Sequence, residues 1–161
     1  LPEAISNTSP LLYLYRIEAL NWLPQLFNEV WIPSAVVLEL KAGQEKGYDV
    51  PIPRDFSWLQ VVEPVSTPAD WQALDLGLGE LAAMSLAAEH PNKFVLLDDN
   101  LARRTAQAHG LQVWGTLKIL LEAKSQGLTE SIKPFVYRLG DAGMWLSADI
   151  LQRVLALADE S

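Results

Sequence analysis

With 161 residues, half of them hydrophobic, the chain is long enough for one domain with a proper core, yet no apolar run approaches the ~18 residues a bilayer-crossing helix needs. It has no cysteine, which excludes disulfides, thiolate metal sites and a cysteine nucleophile and fits a cytoplasmic protein. The net charge of −8 is the opposite of the basic footprint usual in nucleic-acid binders, so the acidity serves a metal-binding pocket, a basic partner or plain solubility.

The start, Leu1-Pro2-Glu3-Ala4-Ile5, has no basic segment leading into an apolar stretch and so does not read as a signal peptide. It lacks an initiator methionine, which implies trimming by a residue or more. Ala4-Ile5-Ser6 reads as a short first strand, broken by Asn7-Thr8-Ser9-Pro10. Pro10 suits the first position of a helix, which makes Ser9 the expected cap. A second helix is expected from about Ala19 to Phe27, with Pro24 forcing a kink or a late start. Glu29-Val30-Trp31-Ile32 reads as the second strand, and Pro33 opens a helix running to Gly43. Within it Glu39 stands among Val36, Val37, Leu38 and Leu40. A carboxylate buried there needs a partner or a metal; on the solvent edge of the stripe it needs neither.

Gln44 to Pro53 is polar and proline-marked and reads as a loop. Trp58 to Val62 is a third strand, expected near an edge, and Thr67 to Trp71 starts a short helix. Leu78 to Glu89 is a helix with Leu81, Met84 and Ala88 on its buried stripe. Glu80 lies in its first turn, where the helix dipole alone favours a carboxylate.

Val95-Leu96-Leu97 is a short apolar run of the kind buried on both faces of a sheet, and it ends in Asp98-Asp99. Leu101 to His109 follows as a helix closed by Gly110. In open parallel sheets, sites lie outside the carboxyl ends of strands, so the acidic pair is well placed for chemistry. Simpler roles exist: either aspartate can cap the helix, and Asp99 is spaced to pair with Arg103 one turn on. Leu111 to Trp114 is a further strand, Leu117 to Lys124 a helix, and two helices near Pro134–Leu139 and after Ser147 finish the chain. No repeat or low-complexity segment divides residues 1–161, which read as one α/β domain. Strand–helix alternation predicts a mainly parallel sheet sandwiched by helices.

If the first and later strands are neighbours, Asn7, Glu39, Glu80, Asp98 and Asp99 converge at one end of the sheet. Carboxylates ~4 Å apart repel by roughly 4 kcal/mol per pair at an effective dielectric of 20. Such a cluster persists only when protonated or neutralised by a cation, and hard oxygen ligands suit Mg²⁺ or Mn²⁺. Arg103 and Arg104, one turn beyond the aspartates, and Lys41 beside the loop are the cations available to hold a phosphate backbone.

The succession Ser6-Asn7-Thr8-Ser9-Pro10-Leu11, Ile32-Pro33 with Val37 and Glu39, Gly79-Glu80-Leu81-Ala82-Ala83, and Leu96-Leu97-Asp98-Asp99 with Ala102-Arg103 resembles the PIN domain family. Within it the chain is similar to the prokaryotic PIN-like toxin–antitoxin group, as Gly110-Leu111, Gly115-Thr116 and Ala123 to Leu128 also are. Each motif is short, but four in order over nearly the whole chain are fairly specific. The resemblance implies a three-layer α/β/α fold and a Mg²⁺- or Mn²⁺-dependent ribonuclease, often the toxin of a toxin–antitoxin pair and often a homodimer. It puts Asn7, Glu39, Glu80, Asp98 and Asp99 at the acidic-site positions, with Asn7, Glu80, Asp98 and Asp99 as metal ligands and Ser9 as a hydroxyl near metal or phosphate. The departure is Asn7, where the family normally has aspartate. An amide coordinates through its carbonyl oxygen but brings no charge and cannot act as a base.

Other classes fit less well. A phosphoacceptor receiver needs its acidic pair after the first strand and a lysine after a late one; a P-loop enzyme needs G-x-x-x-x-G-K. Neither His90 nor His109 has the partners of a catalytic triad. The serious alternative is a non-catalytic protein–protein interaction module on the same fold, which Asn7 and the −8 charge favour and the four retained carboxylates oppose.

Overall fold

The structure is a computed structural model that describes residues 1–161. Five strands, β1 (Ala4–Ser6), β2 (Val30–Ile32), β3 (Leu59–Val61), β4 (Phe94–Leu96) and β5 (Gln112–Trp114), form one all-parallel sheet in the order β3-β2-β1-β4-β5. Eight helices connect and cover it: α1 (Thr8–Arg16), α2 (Leu23–Leu26), α3 (Ser34–Glu45), α4 (Leu78–Glu89), α5 (Asn100–Ala108), α6 (Thr116–Ser125), α7 (Lys133–Asp141) and α8 (Ala148–Leu157). No helix is long and apolar enough to cross a membrane.

Side chains alternate across a strand, and that alternation makes two cores. Ala4, Val30, Ile32 and Leu96 face a large core with Leu11 and Leu14 of α1, Val36 and Leu40 of α3, and Ile119 and Leu120 of α6. Ile5, Val95 and Leu97 face a smaller one with Ala83, Met84 and Ala87 of α4 and Ala102 and Ala106 of α5. Small residues on α4 and α5 let both helices lie close to the sheet. The result is the expected three-layer α/β/α sandwich. At the amino end of the sheet buried Lys93 pairs with Glu3 and sits 4.1 Å from the centre of the Trp31 ring, tying β4 to β1 and β2.

The elements differ from the sequence reading at identifiable points. The N-cap position of the first helix is Asn7 and not Ser9, because the helix begins at Thr8. Pro24 gives the late start: a 3₁₀ turn over Leu20–Trp22 precedes α2. Helix α3 runs through Glu45, past Gly43 and into the stretch expected as a loop. On α4 the buried face centres on Ala83, Met84, Leu86 and Ala87, with Leu81 and Ala88 only half-buried.

Candidate active site

The sheet order reverses between the central strand β1 and its neighbour β4, which run side by side with Ser6 opposite Leu96. A crevice outside the carboxyl ends of strands at such a switch point is where open α/β sheets bind ligands. The Asn7 N–H continues the ladder to Leu96 O at 3.1 Å, so Asn7 leaves β1 at the level where Leu97 leads to Asp98. Its side chain is buried, yet makes no capping bond to α1. Asn7 Oδ1 has no hydrogen-bond donor against it. A buried acceptor left in that state costs about 1–3 kcal/mol.

Glu39 reaches this point from α3. It lies on the exposed side of the helix, but its carboxylate accepts the Thr8 hydroxyl and, at 3.3 Å, the Gly79 N–H. Gly79 is buried in the first turn of α4, and a Cβ there would overlap the Glu39 carboxylate and lie 3.0 Å from Asn7 Oδ1. Any other residue would push the Glu39 carboxylate away from the Gly79 N–H. Glu80 follows at the third position of α4 and accepts the Gly77 N–H at 2.8 Å, satisfying one orphan donor of the helix end. Burial pushes the Glu80 carboxyl above its ordinary pKa; the Gly77 N–H opposes this, and the charges of Asp99, Glu39 and Asp75 push further upward. Glu80 therefore lies within electrostatic reach of both Glu39 and Asp99.

The two aspartates do different things. Asp99 is the N-cap of α5 and accepts the Ala102 N–H at 2.9 Å. Asp98 turns toward β5 and α6, where Thr116 holds both its oxygens, through the backbone N–H at 2.8 Å and the hydroxyl at 2.7 Å. Burial raises the Asp98 carboxyl, against the pull of the Thr116 N–H, the Thr116 hydroxyl and the Arg103 guanidinium. The Asp99–Arg103 pair that helical spacing allowed is absent among the ion pairs. Arg103 instead leans over Gly115, where a Cβ would stand 3.1 Å from Arg103 Nη1 and 3.3 Å from Asp98 Oδ1.

Asn7, Glu39, Glu80 and Asp99 are thus brought around the switch point, and Asp98 and Arg103 stand at its β5 side. Arg104 is not part of this group: its Nε donates to Asn100 O at 3.4 Å, and it lines a separate hollow with Trp71 and His109. Ser9 is half-buried, and the hydroxyl that meets a site carboxylate is that of Thr8. Thr8, Gly79 and Thr116 are the residues the sequence reading did not select. The motif fragments Asn7-Thr8, Gly79-Glu80 and Gly115-Thr116 were the available signal, since each follows a strand or opens a helix at the same sheet edge.

The donors here are hard oxygens, one of them the unpaired Asn7 Oδ1. They fit Mg²⁺ or Mn²⁺ in kind. No three acidic or histidine side chains gather closely enough to hold an ion by themselves, so an ion here would have to complete its shell with water or substrate oxygens.

A family model, DUF3368, described as a PIN domain, matches residues 3–160. Among solved structures the fold is similar to that of a PilT N-terminus domain protein from the hyperthermophilic archaeon Sulfolobus solfataricus P2. That likeness has a TM-score of 0.51 and 15% identity over 90% of this chain and 97% of the other. No curated protein matches the chain.

Proposed function

The chain belongs to the PIN domain family, a nuclease fold in general, and from that premise we propose that it is a divalent-metal-dependent endoribonuclease. The observation that carries this reading is the buried, donor-free Asn7 Oδ1 among Glu39, Glu80 and Asp99. A cation relieves both the orphaned acceptor and the mutual repulsion of the carboxylates. Asn7, Glu80 and Asp99 would hold it, with Asp98 as the further ligand implied by the family pattern. A bound Mg²⁺ or Mn²⁺ supplies a more acidic water and a counter-charge for phosphate.

The chain's own residues do the rest. Thr8 and Gly79 fix the Glu39 carboxylate at the rim of the crevice. Burial pushes the Glu80 carboxyl above its ordinary pKa in the metal-free protein, a cost that a bound cation would relieve. Thr116 anchors Asp98, and Arg103 beside it offers a cation to the phosphate. In hydrolysis the water oxygen bonds to phosphorus and gives up its proton to bulk water, the bond to the ribose oxygen breaks, and that oxygen takes a proton from bulk water as it leaves.

The family pattern supports a narrower reading as the toxin of a toxin–antitoxin pair in the cytoplasm, with an antitoxin protein as partner and a homodimer as the working form. Exposed Tyr137, Trp145 and Leu157 near the carboxyl terminus offer apolar surface for such contacts. The neutral Asn7 favours a second reading, an interaction module with weakened or lost catalysis.

Two measurements test the proposal. Mg²⁺ or Mn²⁺ at a hundredfold excess over its dissociation constant is expected to stabilise the fold by about 2.7 kcal/mol, and Asp98→Asn with Asp99→Asn to remove the effect. Mn²⁺-dependent cleavage of single-stranded RNA is expected from the wild type and not from the double variant. A metal response identical in both proteins overturns the metal site; metal binding without cleavage supports the interaction module.

A further inference from the structure

On the sheet edge farthest from β5, the outer side of β3 meets the flank of α3 in a groove that shares no residue with the switch point. Leu59 and Val61 form its floor, and Val37, Leu40 and Lys41 of α3 form one wall. The chain from Val50 to Arg54 closes the other side, around a cavity of about 350 Å³. Val61 is 55% exposed.

Three observations bear on what the groove accepts. First, the strand edge is open. β3 pairs only with β2, and the Val62 N–H bonds Ile32 O at 3.0 Å. Because backbone direction alternates along a strand, the Val61 N–H and C=O point outward, beside the groove. Second, the charge is inverted relative to the molecule. The chain has 20 acidic against 12 basic residues, yet the groove is lined by Lys41 and Arg54 and by no carboxylate. Third, neither cation is spent, since the ion pairs of the protein involve other residues. Lys41 has no role at the switch point.

We propose that the β3–α3 groove is a docking site for an extended peptide segment of alternating apolar and acidic residues. The segment adds as a strand beside Val61, with apolar side chains in the cavity and carboxylates on Lys41 and Arg54. Main-chain hydrogen bonds supply affinity and the alternate side chains supply specificity, as in strand addition generally. A second copy of this acidic chain is the less suitable occupant, because its overall charge repels and only a local acidic strand would fit.

The test uses the full chain without RNA or metal, so its outcome is separate from the nuclease reading. A fluorescein-labelled heptapeptide alternating glutamate with valine or leucine is titrated by anisotropy, beside the same peptide with lysine for glutamate. The acidic peptide should bind at least tenfold more tightly. Lys41→Glu with Arg54→Glu, both surface changes whose fold is checked by circular dichroism, should weaken it tenfold or more. Amide exchange at Val61 should slow on binding, and replacing the central peptide residues by proline should abolish that protection. Equal binding of acidic and basic peptides, or no binding of either, overturns the proposal. So does full competition by hexanoate, which would make the occupant a small carboxylic acid, or a concentration-dependent dimer lost in the double variant, which would make it a second copy.

Discussion

Gly79 on α4 and Glu39 on α3, forty positions apart, form one unit: the Gly79 N–H donates to Glu39 Oε2 at 3.3 Å, and the missing Cβ makes room for the carboxylate. This contact joins two helices from opposite faces of the sheet at the point where Asn7 leaves β1. It explains why an exposed side of α3 carries a carboxylate with fixed partners.

Gly79→Ala should therefore act on the site more than on the fold. The methyl group displaces the exposed Glu39 carboxylate from the Thr8 hydroxyl and stands 3.0 Å from Asn7 Oδ1, with little cost to the fold because the Glu39 side chain can swing aside. Cleavage is expected to fall more than tenfold while the far-ultraviolet circular dichroism stays unchanged. Wild-type activity in the variant would mean that the position of Glu39 is immaterial.

Asn7→Asp adds a charge at nearly constant size beside Glu39 and Glu80. Without metal it should lower stability, because a further carboxylate joins an unneutralised group. With Mn²⁺ it should tighten metal binding and raise cleavage. Thermal melts with and without metal read both signs, and a variant neutral in both places the Asn7 side chain outside the electrostatic reach of the cluster.

Glu80 gives a pH signature. Its folded pKa lies above the unfolded value, so the native state binds the extra proton and this group's contribution falls as pH rises through that window. Glu80→Gln keeps an oxygen for the Gly77 N–H and removes the charge. It is expected to stabilise the metal-free protein at neutral pH, with the gain disappearing below about pH 4. A gain that persists in acid would point to packing and not to charge.

Glu160 predicts the opposite sign. Burial works to raise its carboxyl, but the Ile132 N–H, the Ser131 hydroxyl, the Lys124 ammonium and the Lys133 N–H outweigh it and lower the pKa to about 2. The same contacts clip the carboxyl terminus onto the start of α7. Stability from this group is complete above about pH 4.5 and is lost as pH falls toward about 2. Glu160→Gln should cost about 1–2 kcal/mol at pH 7 after allowance for solvent screening, and only a small fraction of that at pH 2. Equal losses at both pH values would show that charge is not involved.

Local pattern marked the strands and most helices of this protein, though not the start of α1 or the end of α3. Apolar triplets bounded by Pro, Gly and Asn marked strands; Ser147 marked a cap that the structure retains, accepting the Ile150 N–H at 3.2 Å. Strand–helix alternation then specified a parallel sheet with two covered faces, because a parallel crossover needs a helix. The acidic positions were legible too, since carboxylates at a strand's end or a helix's first turn are visible in one dimension. What the chain could not display locally was decided by contacts between distant segments. The frame of α1 depends on the Asn7 N–H reaching Leu96 O, which carries β1 to Ser6 and makes Thr8, not Ser9, the hydroxyl at the site. Helical spacing offered Arg103 to Asp99, but the start of α6 holds Asp98 and leaves Arg103 over Gly115, where its charge acts on the Asp98 carboxyl. The neighbours of Glu39 left it open between a partnered carboxylate and a solvent-edge residue, because only α4, folded over the far face of the sheet, brings it the Gly79 N–H. Tertiary structure decided those partners because hydrogen-bond and charge pairing depend on distance in space, whereas propensity and periodicity depend on distance along the chain.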